Sequence, residues 1–151
     1  MIGAQIVTSR QSISLSITSI LDTEHMYRFA ERLAWVAAVV LPAGETLRRW
    51  GTWWDVPFAF VDDWLIGLFF LLAAWMCHRG HPSSPRVLAA SFGFGCGMGY
   101  ASLASSLEAL DRPDPSGVSG MTAVVVKSLL LLLGALGLVG ALRGASAHAR
   151  T

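Results

Sequence analysis

The feature that most constrains this chain is the apolar run 121–142, which contains five consecutive leucines (129–133) and one charged residue, Lys127. An α-helix needs about 20 mostly apolar residues to cross a hydrocarbon core of about 30 Å. The run therefore predicts a transmembrane helix. Composition agrees, because 54% of the 151 residues are hydrophobic and 14% are charged, whereas soluble domains carry about 25% charged residues.

Three further blocks extend this prediction to four spans. Residues 87–107 carry no charge, and residues 57–77 carry only two acidic residues. The first block, 29–47, is the weakest because it contains Pro42 and Glu45. We interpret this block as a tilted or kinked span, with a re-entrant segment as the alternative.

The connections between these blocks are short and rich in Gly and Pro, as expected for antiparallel neighbours. The predicted fold is all-α: an integral membrane four-helix bundle, antiparallel and up-down, with short loops. We divide the chain accordingly into a tail (1–25), a transmembrane domain (26–143) and a second tail (144–151).

The first 25 residues differ from the rest. Apolar and hydroxyl residues alternate over 13–21, which is a strand period rather than a helical one. No basic segment leads into an unbroken apolar stretch, so the sequence argues against a cleavable signal peptide. We interpret residues 1–25 as a polar, disordered tail. The alternative is that translation naturally starts at Met26.

Basic residues predict the orientation, because Lys and Arg concentrate in the cytoplasmic loops of membrane proteins. Both termini and the loop 78–86 lie on one side of a four-span protein. Both termini are therefore predicted to be cytoplasmic, in a multi-pass protein of the cell membrane, most simply a bacterial inner membrane. The termini side carries Arg10, Arg28, Arg32, Arg79, Arg86, Arg143 and Arg150, whereas the opposite side carries Arg48, Arg49 and Arg112.

Charged residues within the spans form the candidate site. A charge near mid-membrane costs at least ~2.5–3.5 kcal/mol, so such residues usually face the protein interior or water. Helical phase places four of them on faces rich in small residues, which favour close helix packing. On the third helix this face combines Gly93, Gly97, Ala101 and Ala104 with a carboxylate. The four are Glu45, Asp63, Glu108 and Lys127, and a fifth, Asp62, is expected to reach toward the interface.

This cluster has two interpretations. In the first, it is an internal ion-pair network that fixes helix register, with Lys127 neutralised by Asp63 or Glu45. Asp63 and Lys127 lie at matching depth, so the two are expected to meet. In the second, it is an outward-facing polar cavity that binds a proton, a metal cation or a cationic head group. Lys127, the only lysine of the chain, could also be a titrating or nucleophilic group.

The sequence gives less support to other classes of function. The net charge of +1 gives no basic surface for nucleic acid. His78 and His81 beside Cys77 are too few ligands for a closed zinc site. We predict no metal site and no cofactor. The serines Ser91, Ser102, Ser105 and Ser106 have no histidine at their depth, so no catalytic residue is predicted and an enzyme is disfavoured.

The sequence therefore favours a non-enzymatic accessory or assembly subunit whose polar cluster is structural. The alternative is a small carrier or binding protein for a proton, a metal cation or a cationic molecule. Its expected partners are the lipid bilayer and a protein, or a second copy of the chain. That association would use the pairs Gly93 with Gly97 and Gly95 with Gly99, whose spacing of four residues lets helices approach closely.

Overall fold

The computed structural model describes residues 2–48, 57–110 and 118–148. The described part contains four helices: α1 (Ile2–Arg48), α2 (Pro57–His78), α3 (Ser84–Glu108) and α4 (Gly120–His148). No strand occurs within it, so the all-α prediction is confirmed. Most of the two longer predicted loops lies outside the described residues.

Three of the helices are long and apolar enough to cross a membrane, over Val61–His78, Ser84–Glu108 and Gly120–Ser146. Their surfaces are strongly apolar. On α4, for example, Leu129 and Leu132 are 57% and 59% exposed. Soluble monomers rarely leave such large contiguous apolar surfaces uncovered. The chain is therefore a small membrane protein with several span-capable helices, as the apolar blocks predicted.

The predicted first span, 29–47, is helical but is not one of these three. Glu31, Arg32 and Glu45 fall within its length, and each charge opposes insertion into hydrocarbon. That α1 crosses the membrane stays a prediction.

Residues 2–25 form the first half of α1, whereas the sequence predicts a polar tail there, and that assignment stays a prediction. No Gly or Pro occurs between residues 4 and 41, so no strong helix breaker interrupts the segment. Its isoleucines from Ile6 to Ile20 recur at intervals of seven, four and three residues, which is also a helical period. α4 likewise continues past residue 143, and the division into domain and tails stays a prediction.

The four helices pack against one another in adjacent pairs. α1 packs against α2 and α4, and α3 packs against the same two helices. On α1 and α2, Pro42 lies against Gly67 whereas Tyr27 reaches Cys77, so the two chain directions are opposed. Within the described residues, no Cα atom of α2 lies within 8 Å of one of α4. These two helices are therefore separated by α1 and α3.

The core contains residues of all four helices and is centred on two phenylalanines. Phe70 of α2 and Phe92 of α3 pack edge to face, with ring centroids 5.0 Å apart. On the other side, Phe92 fills the space beside Gly137 of α4 so closely that a Cβ atom there would have three ring atoms within 3.0 Å. Small side chains complete the core and bring the helices together: Ala30, Ala34, Ala73, Ala74 and Ala141.

The face that α3 buries is not the predicted one. Gly93, Gly97 and Glu108 were expected to be buried, but all three are exposed, and a Cβ atom on either glycine would have nothing within 4 Å. α3 instead buries Leu88 and Phe92. Large side chains make more dispersion contacts than glycine does, and such contacts drive packing where both lipid and protein are apolar.

The turn between α2 and α3 is tight and well defined. Gly80 adopts a φ of +64°, a left-handed conformation that glycine tolerates. The N–H groups of Gly80 and His81 donate to the carbonyls of Cys77 and Met76 at 2.9 and 3.0 Å, which is the Schellman pattern of a helix end. The turn brings the end of α2 and the start of α3 side by side.

Candidate functional site

The five predicted site residues lie at one end of the helical assembly, where α1 and α3 end and α2 and α4 begin. We call it the acidic end, because the described part of the chain there carries four carboxylates, Glu45, Asp62, Asp63 and Glu108, together with Lys127. The packing of the helices brings these residues to a common end of the molecule.

Glu45 is the most buried of these carboxylates, at 7% exposure. It lies about one turn after Pro42, which is buried against Gly67 of α2. Proline has no N–H, so the helical hydrogen bond to the carbonyl of Ala38 is missing. That carbonyl oxygen lies only 3.2 Å from where a Cβ atom of Gly67 would stand. A glycine on α2 thus allows close approach to the part of α1 that proline modifies.

The two aspartates of α2 have different environments. Asp63 is half-buried one turn before Gly67, at the level of Glu45 on the facing helix, whereas Asp62 is exposed. This difference matches the predicted phase, in which Asp62 points away from the small-residue face. The α1–α2 interface therefore brings two carboxylates to the same level near the acidic end.

Lys127 bonds to α3. Its Nζ donates to the Ser106 Oγ at 2.6 Å and to the carbonyl oxygen of Ser102 at 3.3 Å. The predicted meeting of Lys127 with Asp63 stays a prediction. Because α2 and α4 are not adjacent, such a pair would have to reach across the assembly rather than between neighbours.

A second polar cluster at the opposite end was not predicted. The phenol of Tyr27 on α1 donates to the Cys77 Sγ of α2 at 3.2 Å and shares a hydrogen bond of 3.2 Å with the Ser84 Oγ of α3. Ser84 is buried at 4% exposure. The Tyr27 ring also lies against Gly144 of α4, where a Cβ atom would clash with it. The Tyr27 side chain of α1 therefore contacts the other three helices.

Burial raises the pKa of the Tyr27 phenol well above its ordinary value, and the hydrogen bond to Cys77 acts in the same direction. The charged form is disfavoured because the ring has left water. Only Gly144 offered a sequence signal for this cluster, as a small residue that could face an aromatic ring. Cys77 and Ser84 stand at helix ends, where polar side chains are too common to be informative.

Basic residues gather at this second end, which we call the arginine end. Arg28 pairs with Glu24 at 2.7 Å, and the guanidinium of Arg79 lies 5.2 Å from the centre of the Trp75 ring. A cavity of about 470 Å³ along α1 also lies here rather than at the acidic end; it is lined by Glu24, His25, Arg28, Phe29 and Arg32.

No group of three or more His, Cys, Asp or Glu side chains in the described part of the chain could hold a metal ion. Comparisons with known proteins give no guide, because no family model, no curated protein and no solved structure matches the chain.

Proposed function

We propose that this protein is an accessory or assembly subunit of a larger membrane complex, built as a four-span, antiparallel up-down helix bundle. The antiparallel contacts between neighbouring helices support that topology. In this proposal α1 forms the fourth span over 29–47, and its departure from regular helical bonding at Pro42 lies within the bilayer. The tail before residue 26 stays outside the membrane.

The arginine end faces the cytoplasm in this proposal. Arg28, Arg32, Arg79, Arg86 and Arg143 all belong to that end, whereas the acidic end has Lys127 as its basic residue among the described side chains. Positive residues are retained on the cytoplasmic side. Both termini would then be cytoplasmic and the polar cluster would lie near the outer face, in a bacterial inner membrane or an equivalent one.

The observation that carries the subunit role is the uncovered small-residue face of α3. Gly93 and Gly97 are exposed, and a Cβ atom on either would meet nothing within 4 Å. Gly95 and Gly99, in contrast, are used within the chain, against Phe70 and Leu131. Two glycines four residues apart let a second helix approach closely in a membrane. The partner would be a transmembrane helix of another protein or of a second copy.

Tight packing elsewhere agrees with a structural role. At Gly137 and Gly140 the neighbouring helix is so close that a Cβ atom would have to displace it. Gly140 lies against the backbone of α1 at Met26, which cannot move aside as a flexible side chain can. A subunit that transmits no solute can be packed this closely, whereas a carrier must open.

The test is mild detergent extraction of the tagged full chain, followed by identification of co-purifying proteins and measurement of its oligomeric state. Gly97→Leu should abolish the association, because leucine fills the groove on α3. Ala135→Leu on the exposed face of α4 is the matched control and should leave it intact. If Gly97→Leu changes neither the co-purifying proteins nor the oligomeric state, the proposal is wrong.

A carrier for a proton or a cation is the second candidate, because Glu45 is buried at the level of Asp63. A carboxylate within the bundle is a typical element of proton and cation pathways. Purified protein in sealed vesicles distinguishes the two functions. A carrier moves cations or protons down an imposed gradient and loses that flux in Glu45→Gln but not in the exposed-site control Asp62→Asn. A solely structural subunit shows no flux in any variant.

A further inference from the structure

The cavity of about 470 Å³ at the arginine end lies along one face of α1. Besides Glu24, its described lining consists of four side chains spaced three, four and seven residues apart, a spacing that places them on one side of a helix. All four are exposed: His25, Arg28, Phe29 and Arg32. We call this open concavity the α1 recess.

The α1 recess has an excess of hydrogen-bond donors. Arg28 donates to the Glu24 Oε1 from Nε at 3.1 Å and from Nη2 at 2.7 Å, which neutralises the carboxylate of the described lining. Arg32, in contrast, has no hydrogen bond or ion pair within the described part of the chain. A guanidinium presents paired N–H donors that match the oxygens of a phosphate group. The recess is therefore suited to an anion of that kind.

The same face of α1 becomes apolar directly beyond Arg32. Val36 follows one turn later and Val39 and Val40 follow two turns later, and all three are at least half exposed. No charged residue occurs between Arg32 and Glu45. At 1.5 Å per residue, Val40 lies about 12 Å from Arg32 along the helix axis. A hydrocarbon chain can therefore lie on the valines while its charged group occupies the α1 recess.

We propose that this face of α1 binds one anionic phospholipid, with the phosphate in the α1 recess and an acyl chain against the three valines. A free phosphate ion would leave the apolar surface uncovered. A zwitterionic lipid would bring a cation toward two arginines. Anionic lipids of the cytoplasmic leaflet attract basic segments next to a transmembrane helix, and the change from charged to apolar residues at Arg32 is expected at the level of the head groups.

Lipid binding here rests on the proposed span of α1 over 29–47 but not on association through α3. Gly97 belongs to α3, which lies across the assembly from α1. A negative Gly97→Leu result would therefore refute the subunit role and leave the lipid site untouched. The span has its own check in a background without Cys77 and Cys96. If α1 crosses the membrane, the exposed positions Asp22→Cys and His81→Cys lie on one side and respond alike to an impermeant thiol reagent.

The test is intact mass spectrometry of the tagged full chain in mild detergent, supplied with equal amounts of phosphatidylglycerol and phosphatidylcholine that carry the same acyl chains. Wild-type protein should retain one phosphatidylglycerol in preference to phosphatidylcholine. Arg32→Gln should lower that retention about fivefold, the effect of one basic residue beside an anionic lipid surface. Arg86→Gln is the matched control, because it removes an exposed arginine of the same end from α3. It should bind like wild type.

The comparison of the two lipids on wild-type protein requires no variant to fold. Equal retention of phosphatidylglycerol and phosphatidylcholine would overturn the proposal. Equal losses in Arg32→Gln and Arg86→Gln would overturn it as well, because they would show attraction to the whole arginine end rather than to the α1 recess. Excess inorganic phosphate should leave the lipid bound. Displacement of the lipid by phosphate alone would show a site for a free anion and refute the lipid.

Discussion

Gly137 offers the sharpest test of how the helices are held together. A Cβ atom at this position would have three ring atoms of Phe92 within 3.0 Å. Phe92 is 1% exposed and is held on its other side by Phe70, so its ring has little room to move. Overpacking a close-packed core costs about 1–3 kcal/mol. Gly137→Ala should therefore destabilise the protein although alanine is the better helix former.

Gly93→Ala is the matched control, because nothing lies within 4 Å of its Cβ position. Both variants gain the same ~0.5–1 kcal/mol of helix preference for alanine over glycine. That gain cancels when they are compared, so the difference between them is the clash alone, about 1–3 kcal/mol. Unfolding by SDS in mixed micelles, followed by tryptophan fluorescence, measures it.

If the Phe92 ring causes the cost of Gly137→Ala, removal of the ring should reduce that cost. In a Phe92→Leu background the ring is gone, and Gly137→Ala should cost less by at least ~0.5 kcal/mol, a coupling expected of residues in contact. Equal stability of Gly137→Ala and Gly93→Ala would refute the close packing of α3 on α4. Strictly additive losses in the double variant would show that the cost of Gly137→Ala does not come from Phe92.

Two further predictions concern the arginine end and the orientation. Tyr27→Phe should lower the free energy of unfolding by ~0.5–1.5 kcal/mol at neutral pH, the value of a lost hydrogen bond. Burial raises the pKa of the Tyr27 phenol, whereas an unfolded phenol ionises near the ordinary pKa of 10.0. The free energy of unfolding should therefore fall as the pH rises above 10.0, and it should fall less in Tyr27→Phe. Equal falls in the two proteins would contradict the burial of the Tyr27 phenol. In a background without Cys77 and Cys96, a membrane-impermeant thiol reagent should label Val118→Cys in intact cells and spare His81→Cys, both exposed positions. Labelling of His81→Cys but not of Val118→Cys would show that the orientation is the reverse of the proposed one.

The span-capable helices were predictable because length and a low number of charges are local properties of the sequence. The blocks 57–77, 87–107 and 121–142 each combine spanning length with at most two charged residues, and each falls mainly in a span-capable helix. The first half of α1 has a less specific pattern. Alternation of hydroxyl and apolar residues fits a strand, but spacing alone does not exclude a helix when no breaker intervenes.

The depth of the candidate residues along their helices can be counted from the sequence, but the partners of these residues cannot. Counting residues along each span placed Glu45, Asp63 and Lys127 at one end, which requires only the helical rise and the chain direction. The partner of Lys127 depends on which helices are neighbours, and periodicity carries no information on that. The Tyr27 cluster was hidden for the same reason, since its atoms come from helices far apart in sequence.

The face that α3 buries bears on the proposed association. Phase grouped the small residues of α1, α2 and α4 correctly, and Ala34, Gly67 and Gly137 are buried. On α3 the aromatic ring of Phe92 takes the inward position, which leaves Gly93 and Gly97 outside. Glycines that face lipid make few dispersion contacts with it, because they have no side chain. The same choice of face that completes the core with a large side chain therefore exposes the surface on α3 best suited to another helix.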